Sequence, residues 1–316
     1  MNADNSAATL PGALDGVRVV DMTAIGMGPW ATQMLADMGA DVIKVEPPGG
    51  DVFRHVTPQR HAGMSHAYLN LNRNKRSVVL DAKREADRSA LLALIARADV
   101  FVSNVRPRAL ARLGLEYPQL RERNPRLIYC GCYGYSEAGP YAGRPGVDDT
   151  IQAASSLAWF QGGGNDDGGR TPRYVNSINA DKVSAMWVAQ SIAFALYARE
   201  RSGVGQAIEV PMFESMVAFM MVEHSSAEWV TLLEAADLPF APVNSVDDLL
   251  IDPHLKAVGF CHSMEHPTEG SLTMPGIPVR YSATPGSIRW PPPALGEHTA
   301  EVLTELGLAM PDQETP

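Results

Sequence analysis

Three cysteines in 316 residues, at positions 130, 132 and 261, are too few and too odd in number to frame a fold with disulfides. They point instead to reduced thiols in a cytoplasmic compartment. Cys130 and Cys132 alternate in a strand-like run, where their side chains share one face, and read as buried structural residues rather than as metal ligands. No metal site is expected. No run of 18 apolar residues occurs, so no membrane-spanning helix is expected. The opening MNADNSAATLPGA lacks the basic and apolar regions of a signal peptide and reads as a disordered lead-in. Positive charge is short as well, with 26 Lys and Arg against 36 Asp and Glu, a net charge of −10 and a pI of about 5.3. Such a field repels nucleic acid and anionic membranes, so neither is an expected partner, and an anionic ligand must meet a local basic patch.

What is present organises around Leu14–Glu46. Val17, Val19 and Val20 form a short apolar strand, Gly26 and Gly28 a turn, and Trp30, Met34, Leu35 and Met38 recur at helical spacing before a second strand at Asp41–Glu46. Strand, glycine turn, helix and strand in about 30 residues is a βαβ unit, which demands a parallel sheet and an α/β domain. Gly26-x-Gly28-x-x-Ala31 with Glu46 beyond it resembles a dinucleotide fingerprint. The fit is poor, because Asp21–Ile25 separates the strand from the first glycine and Pro29 removes an amide that would bind phosphate. A nicotinamide dehydrogenase is therefore a minor alternative.

Sheet and helix keep alternating down the chain. The segment Leu71–Arg76 is basic and amide-rich and leads into a strand at Ser77–Asp81; it is either a solvated turn or a site for phosphate and adenine. A helix at Glu85–Ala98 and a strand at Asp99–Val102 follow, then Ser103–Arg112, with Pro107 in the first turn of a helix and Arg106 and Arg112 available to an anion. A strand at Arg126–Tyr135 precedes a turn-rich loop and a helix at Asp148–Phe160. Basic or aromatic residues thus follow strands, where an α/β sheet keeps its site.

The glycine-rich Gln161–Gly169 reads as a linker, with a mobile flap as the alternative, and Val183–Tyr197 as a helix apolar nearly all round and hence buried. Asp181, just before that run, has two readings: an N-cap, or an ionised carboxylate at a helix N-terminus able to act as a nucleophile. A strand at Gln206–Val210 leads into a Met-rich helix at Pro211–Val222 whose Met stripe reads as core filling. A helix is expected at Ala227–Ala236, antiparallel strands from Gly270 to Ala283, and a last helix opening at Leu295–Ala300.

These segments together resemble the class III CoA-transferases, the family of formyl-CoA transferase, the carnitine CoA-transferases and α-methylacyl-CoA racemase. The resemblance rests on Leu14-Asp-Gly16, Gly39–Glu46, Asn72–Ser77, Asn104–Pro107, Gly203–Gln206, Ala241–Asn244, Asp252–Leu255 and Leu295–His298, and spans nearly the whole chain. It implies a Rossmann-like parallel sheet in a large CoA-binding α/β domain, residues 14–222 with 269–316, and a reduced second domain at 223–268. By resemblance Asp181 is the catalytic aspartate. Met27, Asn72, Arg73, Asn74, Lys75, Asn104, Val105, Arg106, Arg112, Tyr133 and Tyr135 match CoA-binding positions. No cofactor is implied; a coenzyme A thioester is the substrate, a small carboxylic acid its partner, and a homodimer the expected assembly. The implied chemistry passes through an acyl–aspartyl anhydride and an aspartyl-CoA thioester.

Two departures stand out. The racemase branch carries a histidine where this chain has Val147, so one of two bases is missing and transfer is favoured over racemisation. Family members also carry a further stretch, the size of a small domain, between positions here numbered His224 and Ser226. The alternatives kept open are a CoA-binding member that exchanges none, and a racemase-like enzyme.

Overall fold

A computed structural model describes residues 11–162, 171–221, 256–257, 260–277 and 286–308. The βαβ unit forms as expected from β1 (Arg18–Met22), α1 (Met27–Asp37) and β2 (Asp41–Glu46). The chain continues through α2 (His66–Leu71), β3 (Lys75–Val79), α3 (Glu85–Ala96), β4 (Val100–Ser103), α4 (Pro107–Leu113), α5 (Tyr117–Arg123) and β5 (Ile128–Tyr133). Then come α6 (Asp148–Ala154), α7 (Leu157–Gln161), α8 (Asn179–Ser202), β6 (Ala207–Pro211), α9 (Met212–Met221), β7 (Cys261–His266), β8 (Gly270–Pro275) and α10 (Thr299–Leu306).

Six strands form one sheet in the order β3-β2-β1-β4-β5-β6, every pair parallel. Fully buried residues such as Val19, Val20, Val42 and Ile43 face alternate sides, so both faces must be covered. One face packs on α1, α8 and α9 through Ala31, Leu35, Val188, Ile192, Met212 and Met216; the other packs on α3, α5 and α10 through Leu91, Ile95, Leu120, Val302 and Leu303. The strand order reverses between β1 and β4, and a crevice opens there beyond the carboxyl ends of the strands.

Four expectations are corrected. The helix expected at Asp148–Phe160 is two, because Ser156 takes a left-handed conformation (φ 69°) after Ser155, and serines compete poorly for helix interiors. The helix through Val183–Tyr197 is buried along one side, at Val183, Ser184, Ala185, Val188, Ile192, Ala195 and Leu196, while Met186, Trp187, Phe194 and Tyr197 are 42–68% exposed. One stripe meets the sheet; the opposite apolar stripe has no partner among the described residues. The antiparallel pairing expected from Gly270 to Ala283 begins earlier, because Gly270–Pro275 pairs with Cys261–His266 in a hairpin that straddles residue 268, and residues 278–283 lie outside the described residues. The helix expected at Ala227–Ala236, most of 223–268 and most of Gln161–Gly169 lie outside the described residues.

The fourth correction concerns Asn72–Arg76, which is neither a solvated turn nor an open anion site. Lys75 and Arg76 open β3 rather than precede it, and all five side chains are buried. Arg73 pairs with Asp37 at 2.8 Å, Asn74 donates to the same carboxylate, and Arg76 reaches Asp41, Glu301 and Glu305. Lys75 donates to Asp21 Oδ2 (3.0 Å), Pro29 O (2.7 Å) and Asn72 Oδ1 (2.9 Å), which uses all three of its protons. Burial alone would raise the Asp21 carboxyl, but Lys75 and Lys44 beside it hold it down to about 2. Lys75→Met would therefore strand a buried carboxylate, at a cost of about 3–5 kcal/mol in urea unfolding. Adding Asp21→Asn should recover most of that loss; a single variant as stable as wild type would refute the pairing.

Candidate functional site

The chain between β1 and α1 is fixed on every side. Ala24 is bracketed by Asn104, whose Nδ2 donates to its carbonyl (2.8 Å) and whose Oδ1 accepts from its amide (3.1 Å). Asp51 accepts the Ile25 amide through Oδ1 (3.0 Å) and Lys44 Nζ through Oδ2 (2.9 Å), and Lys44 also donates to Thr23 O. These bonds hold Ile25 at φ 74°, a conformation that costs a β-branched residue about 1–3 kcal/mol and marks a turn set by its surroundings. The result is that the first amides of α1 point into the crevice.

Asp181 meets them there. It lies in the first turn of α8, yet it does not cap that helix: its Oδ1 accepts from the Met27 amide at 2.8 Å, so it caps α1. Gly26, at the N-cap of α1, has no side chain to serve, and a Cβ there would stand 2.7 Å from the Asp181 carboxyl carbon and Oδ2. The glycines of the turn thus make room for protein, Gly26 for Asp181 and Gly28 for Thr23, and not for a pyrophosphate. The dinucleotide reading loses its basis.

Asp181 is 5% exposed. Burial raises its pKa from 3.8 to about 6, a rise the Met27 amide opposes and the nearby Asp148 carboxylate reinforces. Around it opens a cleft of about 250 Å³, lined after β1 by Ile25 and Met27, after β4 by Asn104 and Arg106, and after β5 by Cys132 and Tyr133. Glu137, Arg144 and Asp148 complete it from the loop that leads to α6. That loop passes so close to the end of β5 that a Cβ on Gly134 would lie 2.5 Å from Gly146 Cα. Burial keeps the Tyr133 hydroxyl well above the usual tyrosine range, with Tyr129 beside it adding to the rise, so it stays neutral.

Of the residues singled out in the sequence, the fold brings Met27, Asn104, Arg106, Tyr133 and Asp181 to one cleft. Asn72, Arg73, Asn74 and Lys75 lie beneath the turn, tied to Asp21, Asp37 and Pro29 O. Val105 packs on the α3 side of the sheet, Arg112 is exposed in the last turn of α4, and Tyr135 meets Tyr141 edge-on and Phe213 at a tilt. Sequence reasoning missed Asp148, Glu137 and Arg144 as cleft residues. Their signal was present in the glycine-rich loop opening a helix with two aspartates.

Comparisons with known proteins identify the family. The family described as CoA-transferase family III matches residues 14–224 and 220–299. The chain is 39% identical to the acetyl-CoA:oxalate CoA-transferase of Acetobacter aceti over 228 residues, 72% of this chain and 57% of that protein. It is 27% identical to the human succinyl-CoA:glutarate CoA-transferase over 379 residues, 93% of this chain and 86% of that one. A crystal structure of a CAIB/BAIF family protein from Brucella suis superposes with a TM-score of 0.80 at 26% identity, covering 94% of this chain and all of that one. The alignment to the human protein runs to 379 positions against a chain of 316, a difference of 63, so at least that many of its residues have no counterpart here. The two family matches meet at 220–224, beside the place where the resemblance puts the missing stretch.

The raised pKa of Asp181 gives a signed prediction. A carboxyl that binds its proton more tightly in the folded state contributes stability in full below its unfolded pKa of 3.8, and loses it as the pH rises through about 6. The loss amounts to about 3 kcal/mol. Asp181→Asn keeps an oxygen for the Met27 amide but has no proton to lose. Denaturation at pH 4 and pH 8 should show the variant gaining on wild type at the higher pH by up to that amount. A difference that does not change with pH would contradict the assignment.

Proposed function

The chain belongs to CoA-transferase family III, and from that premise we propose that it moves coenzyme A from an acyl-CoA to a small carboxylic acid with Asp181 as nucleophile. The observation that carries this reading is one cleft in which a buried carboxylate, held at a helix N-terminus, meets two arginines that form no ion pair among the described residues. The Asp181 carboxylate attacks the thioester carbonyl, the C–S bond breaks, and CoA leaves as thiolate with the bonding pair, giving an acyl–aspartyl anhydride. The thiolate then attacks the aspartyl carbonyl and expels the donor acid. An acceptor carboxylate opens the aspartyl-CoA thioester in turn, and the returning thiolate takes up the new acyl group. No proton need be moved in any step. The Met27 amide, already bonded to Oδ1, is the donor placed for charge that develops on the aspartyl oxygen.

The relatives named above exchange CoA with oxalate, glutarate and succinate, and short dicarboxylic acids are the substrates we assign here. Among the described residues neither Arg106 nor Arg144 forms an ion pair, and both line the cleft. Arg106 suits a phosphate of CoA; Arg144, its guanidinium 4.5 Å above the Tyr141 ring, suits the distal carboxylate. With Val147 in place of a second base, transfer fits better than racemisation. The unpartnered stripe Met186, Trp187, Phe194 and Tyr197 on α8 supports a homodimer, and the buried thiols Cys130 and Cys132 suit a cytoplasmic protein.

The test is transfer from succinyl-CoA to short dicarboxylic acids, followed by chromatography of the CoA esters. Asp181→Asn should fold and lose transfer by several orders of magnitude, because an amide forms no anhydride. Arg144→Met should raise KM for a dicarboxylic acceptor by roughly tenfold, or about 1.4 kcal/mol, and leave that for a monocarboxylic acceptor unchanged. Full activity in Asp181→Asn would end the reading, and equal effects on both acceptors would remove Arg144 from specificity.

A further inference from the structure

The segment that delivers Asp181 to the cleft, residues 171–178, has no regular structure. What holds its end in place is α6. Gln152, wholly buried, accepts from the Val175 amide (2.9 Å) and donates through Nε2 to Ser177 O (3.0 Å) and to Asp148 Oδ2 (2.5 Å). The other oxygen of Asp148 accepts the backbone amide of Asp181 itself at 2.9 Å. Asp148 is 7% exposed and lines the same cleft. A second carboxylate therefore stands beside the proposed nucleophile, bonded to its backbone and fixed from behind by an amide side chain that has no freedom left.

Resting on the reading of Asp181 as nucleophile, we propose that Asp148 is a positioning residue for the transfer. It anchors the first turn of α8 at the mouth of the cleft and sets the charge environment of the attacking carboxylate, with Gln152 holding it in that role. Two like charges held close disfavour their joint ionisation, so the Asp148 carboxylate makes Asp181 more basic. A more basic carboxylate is a better nucleophile toward the thioester.

Other groups facing Asp181 do not supply this effect. Arg106 and Arg144 on the cleft wall carry the opposite sign, and Glu137 is turned to the Gly143 amide. Lys182, the next residue in α8, donates to Ser177 Oγ, and Glu214 of α9 accepts from the Ser136 amide. The acidic residue of α1, Asp37, sits at the far end with Arg73, and Tyr133 of β5 is neutral.

The experiment is the pH dependence of kcat for CoA transfer in the full chain. In wild type the rate should fall as the pH drops through the ionisation of Asp181. In Asp148→Asn, and in Asp148→Ser, which also keeps an acceptor oxygen, the midpoint should move to lower pH by at least half a unit, roughly a threefold change in proton affinity. Gln152→Met should lower kcat about tenfold while KM for the acyl-CoA stays within twofold, since substrate contacts are untouched. A midpoint that stays put in both Asp148 variants overturns the proposal whatever happens to kcat, as does a Gln152→Met enzyme with unchanged kcat. Failure of the nucleophile reading shows separately, as transfer that survives Asp181→Asn.

Discussion

The hydrogen bond from the Met27 amide to Asp181 Oδ1 joins two residues 154 positions apart, and the arrangement of the cleft depends on it. A helix N-terminus has amides without partners, and α1 begins at a glycine that offers no side chain to satisfy them. Asp181 fills that need from another helix. The carboxylate gains a donor and two helix N-termini in return for leaving water, and because burial outweighs them its proton affinity is raised rather than lowered. A carboxylate so placed is held still, kept basic and left with its second oxygen toward Gly26 and the cleft.

Holding that geometry takes a buried ionic frame. Lys75 ties Asp21 to the Pro29 carbonyl in the first turn of α1, Lys44 ties Asp51 to Thr23, and Arg54 closes the network through Glu46 and Tyr68. Ion pairs of this kind contribute little net stability against apolar replacements, but they tolerate no partial loss and so impose one conformation on the turn. Site and frame thus divide the basic residues between them. Those of Asn72–Arg76 serve the frame, and Arg106 and Arg144 are left to the cleft.

The sheet was legible because its strands are short valine- and isoleucine-rich runs punctuated by glycine, and a parallel sheet needs both faces buried. Asp181 was legible as a carboxylate at a helix start, and the resemblance to class III CoA-transferases supplied the role proposed for it. What it caps was not legible, since a cap is ordinarily local and this one comes from 154 residues away. The basic run at Asn72–Arg76 looked solvent-facing because nothing in one dimension shows that Asp21, Asp37 and Asp41 stand opposite it. Helix α8 misled for a related reason: an apolar circumference says that two surfaces will be covered but not by what.

The central claim is that oxygen passes through the carboxylate of Asp181, and isotope transfer tests it most directly. Turnover with an acceptor acid labelled with oxygen-18 in its carboxylate should leave one heavy oxygen behind, because the bridging atom of the second anhydride stays on the enzyme when CoA takes the acyl group. Peptide mass spectrometry after a few turnovers should then find the label in the peptide carrying Asp181 and none in the peptide carrying Asp148. Transfer of CoA with no label at Asp181, or with label at Asp148 instead, would contradict the account.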